Sequence, residues 1–576
     1  MTDTAPKSNR EDQAMVELGR TDVSRPVKWS LVAAFLLIIA SLIVIEFVGA
    51  LGREDASIIP PGWRLGEINS SRDTGASQDG WSGLLQAVPS SGDLKDFETH
   101  VEDQSLLRRW LLPPVQAVLT SVLGLGNEEA IAGDGGWLFY APDIEYVTAG
   151  PFLSPRRLIL NERMRQGGQP VQWMDPVPAI LSFRNQLRDR GIELVLLPTP
   201  VKPQIAPGML DGSGRRRGEI IQNPSWGDFR TLLDDAGIVM LDIGASLMPG
   251  PDGPATYLRT DTHWTPSAMM RVAQEMALLL RTAVELPAAG TLVAATKPRD
   301  LRTQGDLVDM LGLDSPQDYY QPLDVSVTPV DIAGSPWTAR RNAPVLLLGD
   351  SFTNIYSLES MGFGTHGGLA EHLSLALGWP IDRIARNAGG AAATREALAD
   401  DLARHDAIVS RGDVPSTRER LADTKVVVWQ FAMRELLSGD WRPVALPEAQ
   451  PETYGHNAAM NESSIAVAVT GRIADMTHAP DPASVPYKDA VIGVHLVDVR
   501  GIADEQEIVV LGLGLHDRQT TPLDRMASGQ EVSLTLIPWS SVADRYGGLN
   551  RIELDDPDFM LIDLPLYWMD GLQGDR

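Results

Sequence analysis

The segment VLLLGDSF (residues 345–352) predicts the architecture of this chain. Four consecutive apolar residues are typical of a parallel strand that is covered on both faces, and the glycine and aspartate that follow indicate a turn into a helix. Comparable signals predict further strands at 192–197, 238–243, 381–387 and 425–431. The sheet is therefore expected to contain several strands from distant parts of the chain.

Helical patterns separate these strands. One helix is predicted around 226–236 and another over 392–405, where the sequence reads AATREALADDLARH. A third is expected to begin at Pro266, because Thr265 is a favourable N-cap and proline is favourable at the first helical position. This alternation predicts an α/β domain with a mostly parallel sheet and helices on both faces.

An uncharged apolar run begins at Trp29 and, interrupted by Glu46, extends to Leu51. A membrane-spanning helix needs roughly 20 apolar residues, so residues 29–51 are predicted to be a single transmembrane anchor. Three basic residues shortly before it, Arg20, Arg25 and Lys28, favour a cytoplasmic tail at 1–28. A cleaved signal peptide or a buried core helix remains an alternative interpretation of the same run.

The rest of the chain would then lie outside the cytoplasm. Residues 52–92 are rich in Gly, Ser, Pro and Asp and are predicted to be a flexible stalk before a main domain at 93–442. Residues 443–461 indicate a linker. Beyond it, short alternating runs separated by Gly, Pro and Asp predict a small all-β domain at 462–576, a sandwich or a barrel.

Composition excludes several function classes. The 576 residues exceed one ordinary domain, and 49 basic against 76 acidic residues give a net charge of −27. A surface of this sign repels phosphate backbones, so nucleic acid is not an expected partner. Cysteine is absent, which excludes disulfides, thiolate zinc sites and a cysteine nucleophile.

Two short segments could carry chemistry. In GDSF, Ser351 is expected at the carboxyl end of a strand and at the start of a helix, where free N–H groups favour a developing anion. In DTHWTP (261–266), Asp261 and His263 point to the same side of an extended segment. Asp261 can then orient the imidazole of His263, which can activate the hydroxyl of Ser351.

Each segment also has a structural explanation. An aspartate or serine after a strand is often only an N-cap, and a histidine before a helix is often only a buried structural residue. A metal site at Asp261 and His263 would need further ligands, and no HxxxH pattern supplies them, so no metal is predicted. Both segments are predicted to lie at the same edge of one sheet, which favours a catalytic role over a structural one.

These residues resemble the SGNH-like acetyltransferases of the alginate O-acetylation type, over about residues 93–440. The resemblance lies in FETHVEDQSLLRRW, GDGGWLFY, VLLPTPVKPQIAP, YLRTDTHWTPSA, LLLGDSFTNIYS and VVVWQFAMREL. The DTHW segment precedes GDSF, as in the permuted arrangement of this family. The resemblance implies Ser351 as nucleophile, His263 as general base and Asp261 as its orienting partner, with no cofactor.

The resemblance also implies residues around the reacting atoms. Gly390 and Asn387 are the candidates for the oxyanion site, and Trp264 and Arg434 are further candidates for oxyanion or substrate binding. For Arg434, a structural ion pair at a helix start is the alternative and is slightly preferred. The family often has an acidic residue beside the tryptophan of VVVWQFAMREL, where this chain has Gln430. Trp137, Phe139 and Tyr140 are interpreted either as core residues or as a surface that stacks on sugars.

The function implied is O-acetylation of a secreted polysaccharide through a serine acyl-enzyme. The implied partners are the polysaccharide acceptor and a multi-pass inner-membrane acyltransferase that supplies the acetyl group. The predicted location is the inner membrane, with the catalytic domain in the periplasm. The same triad could instead serve a polysaccharide acetyl esterase, and a non-catalytic polysaccharide-binding envelope scaffold is the third hypothesis.

Overall fold

The computed structural model describes most of the chain from residue 106 onwards and a short stretch before it. The described residues are 26–27, 29–37 and 106–570, apart from 167–170, 211–219, 251–252, 291, 411–417, 449–465, 481, 483–484, 486, 503–504, 555–560 and 562–563. Most of the predicted tail and anchor, the whole stalk at 52–92 and most of the linker at 443–461 lie outside these residues.

The chain divides into two compact units, Met1–Val115 and Gln116–Arg576. In the first unit, residues 26–27 and 29–37 are helical and exposed. Within the residues described above, no helix is both long enough and apolar enough to cross a membrane. The predicted anchor at 29–51 is described only as far as residue 37.

Strands and helices alternate through the first two thirds of the second unit, and strands dominate its last third. The strands are β1 (Ala130–Ala132), β2 (Leu138–Tyr140), β3 (Glu193–Thr199), β4 (Val239–Met240), β5 (Val293–Ala295), β6 (Arg299–Thr303), β7 (Leu323–Val327), β8 (Val330–Ile332), β9 (Ser335–Pro336), β10 (Val345–Gly349), β11 (Asp382–Ala385), β12 (Val426–Ala432), β13 (Val467–Met476), β14 (Ala490–Arg500), β15 (Ile508–His516), β16 (Gln519–Thr520), β17 (Glu531–Pro538), β18 (Asn550–Ile552) and β19 (Leu566–Asp570).

The helices, in the same order, are α1 (Leu106–Leu123), α2 (Ala141–Thr148), α3 (Pro155–Gln166), α4 (Pro176–Asp189), α5 (Lys202–Ile205), α6 (Trp226–Asp235), α7 (Gly244–Leu247), α8 (Pro266–Ala283), α9 (Asp306–Met310), α10 (Ser351–Asn354), α11 (Leu369–Leu377), α12 (Ala393–Ser410), α13 (Glu435–Ser438) and α14 (Ala543–Tyr546). Helix α8 begins as predicted, since the Thr265 hydroxyl accepts a hydrogen bond from the Ala268 N–H at 3.4 Å.

The main sheet has five parallel strands in the order β11-β10-β12-β3-β4. Alternate residues of β10 point into two different cores. Val345 and Leu347 pack into one core with the buried face of α8, whereas Leu346 and Leu348 pack into the other with α4 and α12. Because both faces are covered by helices, the central strand β10 is apolar throughout. The prediction of an α/β domain is confirmed.

The C-terminal domain is a barrel. Five strands form a closed ring in the order β13-β14-β15-β19-β17, and each pairs with its two neighbours in the ring. The antiparallel pairing of β14 with β15 closes it. Val494, Val510, Leu534 and other alternate residues fill its core. Closure removes the exposed edges that an open sheet would present. Of the two predicted β architectures, the structure has the barrel.

The barrel contacts the loops that surround the carboxyl end of β10. The carbonyl oxygen of Gly547 accepts a hydrogen bond from Nη1 of Arg386 at 2.7 Å, and that of Gly548 accepts one from Nδ2 of Asn354 at 3.3 Å. Asn354 ends the short helix that Ser351 begins. Backbone of the barrel therefore supports the turn that carries the GDSF segment.

Candidate active site

Asp261 and His263 form a hydrogen-bonded pair. The Oδ1 atom of Asp261 accepts from Nδ1 of His263 at 2.8 Å and from the His263 backbone N–H at 3.0 Å. The segment is held by an antiparallel bridge between Tyr257 and Trp264. The i, i+2 spacing thus places both side chains on one side, as the sequence predicts.

This pair has the electrostatics of a general base. Burial alone would raise the pKa of Asp261, but the charge and hydrogen bonds of His263 hold it below its ordinary value. Burial opposes protonation of His263, yet Asp261 raises the pKa of the imidazole above its ordinary value. Nε2 of His263 is buried and accepts no hydrogen bond from any residue that the structure describes. One ring nitrogen is therefore oriented and the other is free to take a proton.

Ser351 follows β10 on a tightly held turn. The Oδ1 atom of Asp350 accepts from the Phe352 N–H at 2.8 Å and caps the short helix, while its Oδ2 accepts from the Ala432 N–H at 2.8 Å. Ala432 ends the neighbouring strand β12. Asp350 therefore fixes the position of Ser351 relative to the sheet.

Gln430, the departure from the family pattern, holds the same turn. Its Oε1 accepts from the backbone N–H of Asp350 at 3.0 Å and from the Thr353 hydroxyl at 2.9 Å. Its Nε2 donates to the Thr199 hydroxyl at 3.1 Å. The amide therefore satisfies three polar groups in a buried position where a carboxylate would lack the donor for Thr199.

Ser351 and His263 line the same cavity, which has a volume of about 180 Å³. The ring of Phe352 packs edge-on against the imidazole, with centroids 4.8 Å apart. No hydrogen bond joins the Ser351 hydroxyl to Nε2 of His263 in this structure. Such bonds are often long without substrate and shorten when substrate binds. The two groups share one opening, and their catalytic roles stay a prediction.

Asn387 and Arg434 also line this cavity. Asn387 is oriented by Asn354, whose Nδ2 donates to its Oδ1 at 2.9 Å, which leaves the Asn387 amide as a donor directed towards Met361 Sδ at 3.1 Å. Arg434 forms an ion pair with Asp143, with Nη1 and Oδ1 2.8 Å apart. The guanidinium thus has a structural partner as well as a place in the cavity wall.

Gly390 and Trp264 lie away from the described lining of the cavity. Gly390 has a φ of +55°, and a Cβ atom there would lie 3.0 Å from Oε2 of Glu435. Trp264 is completely buried, and its ring packs edge-on against Phe352 at 5.3 Å. Neighbouring residues of an extended segment point to opposite sides, so the cavity that receives His263 does not receive Trp264. Trp264 therefore lies in the core and outside the described lining of the cavity.

Asp306 belongs to the site and carries no motif that would reveal it. Its Oδ1 accepts from the Thr262 N–H at 2.8 Å, its Oδ2 lies 3.8 Å from Nδ1 of His263, and its own N–H donates to Oδ2 of Asp261 at 3.0 Å. Burial, followed by the charge of Asp261, raises the pKa of Asp306 to about 7. The imidazole is therefore flanked by two carboxylates.

A buried lysine, Lys202, interacts electrostatically with the carboxylates of Asp261 and Asp306. Nζ of Lys202 donates to the carbonyl of Leu138 at 2.6 Å and to that of Arg259 at 3.4 Å. Burial lowers the pKa of Lys202 to about 8 against the opposing charges of Asp261 and Asp306. In the sequence, Lys202 was notable only as part of the VLLPTPVKPQIAP segment, which contributes to the family resemblance. It links strand β2 to the segment that carries the histidine.

The aromatic residues of the GDGGWLFY segment divide between two environments. Phe139 is completely buried and stacks with Trp137 at 6.2 Å, as the core interpretation requires. Tyr140 lines the cavity and lies under the guanidinium of Arg434, 5.4 Å from the ring centroid. Of the three aromatic residues considered as a sugar-stacking surface, only Tyr140 lies in the described wall of this cavity.

Three side chains could serve as metal ligands. Asp261, His263 and Asp306 each offer one atom, and these atoms lie within 4.8 Å of one another. The sequence did not predict this third ligand. A metal ion at Nδ1 of His263 would have to replace its 2.8 Å hydrogen bond with Asp261. The direct histidine–carboxylate bond accounts for the observed geometry.

Residues 130–410 match a family model described as "SGNH hydrolase-like domain, acetyltransferase AlgX". Among relatives, "Probable alginate O-acetylase AlgJ" of Pseudomonas aeruginosa is 25% identical over 248 residues, which is 41% of this chain and 56% of that protein. The protein of the same name from Azotobacter vinelandii is 25% identical over 219 residues, 38% of this chain and 50% of that protein. The chain thus spans about half the length of these relatives.

Two solved structures are also similar. The O-acetyltransferase domain of Pseudomonas putida AlgJ has a TM-score of 0.37 and 20% identity, covering 54% of this chain and 92% of that one. Pseudomonas aeruginosa AlgX has a TM-score of 0.36 and 16% identity, covering 71% and 90%. From the family match and the relatives, residues 130–410 of this chain are similar to the alginate O-acetyltransferase-like family.

Proposed function

We propose that this protein is an O-acetyltransferase that places acetyl groups on hydroxyls of a secreted polysaccharide. The observation that carries the proposal is the His263–Asp261 pair, bonded at 2.8 Å, since Nε2 of His263 has no partner among the described residues and His263 lines the same cavity as Ser351. The names of the relatives, which are probable alginate O-acetylases, support acetyl as the transferred group and a polysaccharide as the acceptor.

In the proposed first step, Oγ of Ser351 attacks the carbonyl carbon of an acetyl donor and its proton passes to Nε2 of His263. The donor's leaving group departs with that proton, and an acetyl-serine remains. The negative charge of the tetrahedral intermediate is stabilised by the Ser351 backbone N–H and the Asn387 amide. Asp261 stabilises the imidazolium that forms meanwhile.

In the second step, a sugar hydroxyl attacks the acetyl-serine. His263 takes the proton of that hydroxyl and returns a proton to Oγ of Ser351 as the ester bond to the enzyme breaks. The same N–H donors stabilise the second intermediate, because the acyl carbonyl occupies the same place in both steps. One histidine therefore serves as base and then as acid in each half-reaction.

The proposal is tested with Ser351→Ala in the full chain. Acetyl content of the secreted polymer is expected to fall to the level of a deletion strain, because the nucleophile is missing. Ser267→Ala is the matched control, since this serine is exposed on the first turn of α8. Unchanged acetylation in the Ser351 variant would contradict the proposal.

Transfer and hydrolysis are separated in vitro. The purified chain is incubated with p-nitrophenyl acetate and an oligosaccharide, and products are followed by mass spectrometry. Acetylated oligosaccharide that depends on Ser351 supports transfer. Free acetate alone, with no acetylated sugar, would instead assign the site to an esterase. An acetylated peptide containing Ser351, trapped before acceptor is added, is the expected intermediate.

We also propose that residues 29–51 anchor the protein in the inner membrane, with residues 1–28 in the cytoplasm and the catalytic domain in the periplasm. Large apolar side chains of the helical residues 29–37, including Trp29, Phe35 and Leu37, are more than half exposed, which supports a lipid environment. A multi-pass membrane acyltransferase would deliver the acetyl group. Protease digestion of spheroplasts is expected to remove the catalytic domain and leave a tail epitope intact.

A further inference from the structure

The cavity that contains Ser351 is lined by more carboxylates than cations among the residues that the structure describes. Its carboxylates are those of Asp261, Asp306, Asp309, Glu435 and Asp489, and besides His263 its cations are Arg434 and Lys488. A site that binds an anionic ligand ordinarily offers cations that can pair with it. The composition of this wall is the opposite.

Both cations already have carboxylate partners. Arg434 lies 2.8 Å from Asp143 and 3.8 Å from Glu435, and Nζ of Lys488 lies 3.4 Å from Oδ2 of Asp309. A carboxylate on a ligand would therefore have to compete with a protein carboxylate for either cation. Breaking a partly buried pair leaves the displaced carboxylate without its counter-charge, which is costly.

Burial in this wall already disfavours negative charge. Burial raises the pKa of Glu435 to about 7, and the charges of Asp350 and Asp143 raise it further against the opposing effect of Arg434. A carboxyl group that stays partly protonated near neutral pH indicates that another negative charge in this space is disfavoured.

The neighbouring surface is closer to charge balance, with four carboxylates against three lysine and arginine side chains among its described residues. A second cavity of about 680 Å³ shares Lys488 and Asp489 with the first. Its Arg383 pairs with Glu371, with Nη1 and Oε1 3.3 Å apart. The net charge of −27 for the whole chain repels polyanions before contact.

We infer that the acceptor is a glycan whose sugar rings carry no carboxylate, rather than a polyuronate. Neutral hydroxyls can donate hydrogen bonds to the carboxylates of the wall, whereas a uronate would meet like charge at close range. The inference rests on the proposed transferase function and names the class of its acceptor. On this inference the protein selects its acceptor by charge, independently of the acceptor's linkage or sugar stereochemistry.

The test uses two acceptors that differ only in charge, a hexauronate and the same oligosaccharide after chemical reduction of its carboxyl groups. The full chain is supplied with p-nitrophenyl acetate, and acetylated product is measured at low and at high salt. We expect kcat/KM to be at least about tenfold higher for the reduced acceptor, equivalent to about 1.4 kcal/mol. The preference should shrink in high salt, because salt screens the repulsion.

Asp309→Asn provides an internal check, since it releases Lys488 from its partner and removes one carboxylate from the wall. It should raise use of the hexauronate at least about threefold and leave use of the reduced acceptor less affected. Equal or better acetylation of the hexauronate by the native chain would overturn the inference while the transferase function stands. If neither acceptor is acetylated while Ser351-dependent release of acetate continues, both the inference and the transferase function are overturned.

Discussion

Replacing Asp261 with asparagine separates the charge of this residue from its shape. The Asp261 carboxylate accepts from Nδ1 of His263 at 2.8 Å, from the His263 N–H at 3.0 Å and from the Asp306 N–H at 3.0 Å. A hydrogen bond to a charged group contributes about 1.5–3 kcal/mol. Since each 1.36 kcal/mol is a factor of ten, loss of imidazolium stabilisation in the transition state should lower kcat/KM by about 10- to 150-fold.

The variant should also change the pH profile in a defined direction. In the proposed mechanism catalysis needs neutral His263, so activity of the native chain should rise as pH passes the pKa of this histidine, which Asp261 raises above its ordinary value. Removing the negative charge lowers that pKa. The rise in activity should therefore move to lower pH while its plateau falls. Hydrolysis of p-nitrophenyl acetate between about pH 5 and pH 9 covers this range.

A matched control is Asp324→Asn. Asp324 is 81% exposed, and its oxygen lies 3.9 Å from Nε of Arg302, so its loss should leave hydrolysis within about twofold of the native value. The reasoning would be refuted if Asp261→Asn kept both the native plateau and the native midpoint. In that case the bond between Asp261 and His263 would have no part in catalysis.

Three further substitutions examine the surroundings of the site. Gly305→Ala would place a Cβ atom 2.1 Å from the carbonyl oxygen of Thr260 and displace the segment before the histidine, so hydrolysis should fall by about 100-fold, measured as kcat/KM. Arg420→Ala leaves the buried Asp382, which it binds through two 2.7 Å contacts, without its partner, and urea denaturation should show a loss of about 3–5 kcal/mol. The carboxyl group of Asp306 has a pKa of about 7 in the folded state and about 4 in the unfolded chain, so the free energy of unfolding falls as pH rises. Between pH 5 and pH 8, Asp306→Asn should make this fall smaller by about 2–3 kcal/mol. An equal fall in the native and variant proteins would contradict the prediction.

The sequence predicted the strands of the main sheet well, since their apolar runs reflect burial on both faces. It did not predict their order, because the neighbours of β10 come from residues 382–385 and 426–432, which only the folded chain brings together. The run at 238–243 was predicted as a strand of six residues, yet only Val239–Met240 form β4. This strand lies at the edge of the sheet, where one partner alone supports it.

The candidate site was predictable where its geometry is local. The pairing of Asp261 with His263 follows from their i, i+2 spacing. Asp306 comes 45 positions after Asp261, and nothing in its local pattern differs from an ordinary helix start, so only the folded chain brings it beside the imidazole. The same local rule, applied one residue further, would have directed Trp264 into the core, where it lies.

The two glycine carbonyls of the barrel that accept from Arg386 and Asn354 have a consequence for how this protein can be divided. A fragment that ends before the barrel would lack the acceptors for the partly buried guanidinium of Arg386 and for the amide that orients Asn387. Inactivity of such a fragment would then say nothing about glycan capture by the barrel. Separating the two roles calls for substitutions on the barrel's outward face that leave its contacts with Arg386 and Asn354 intact.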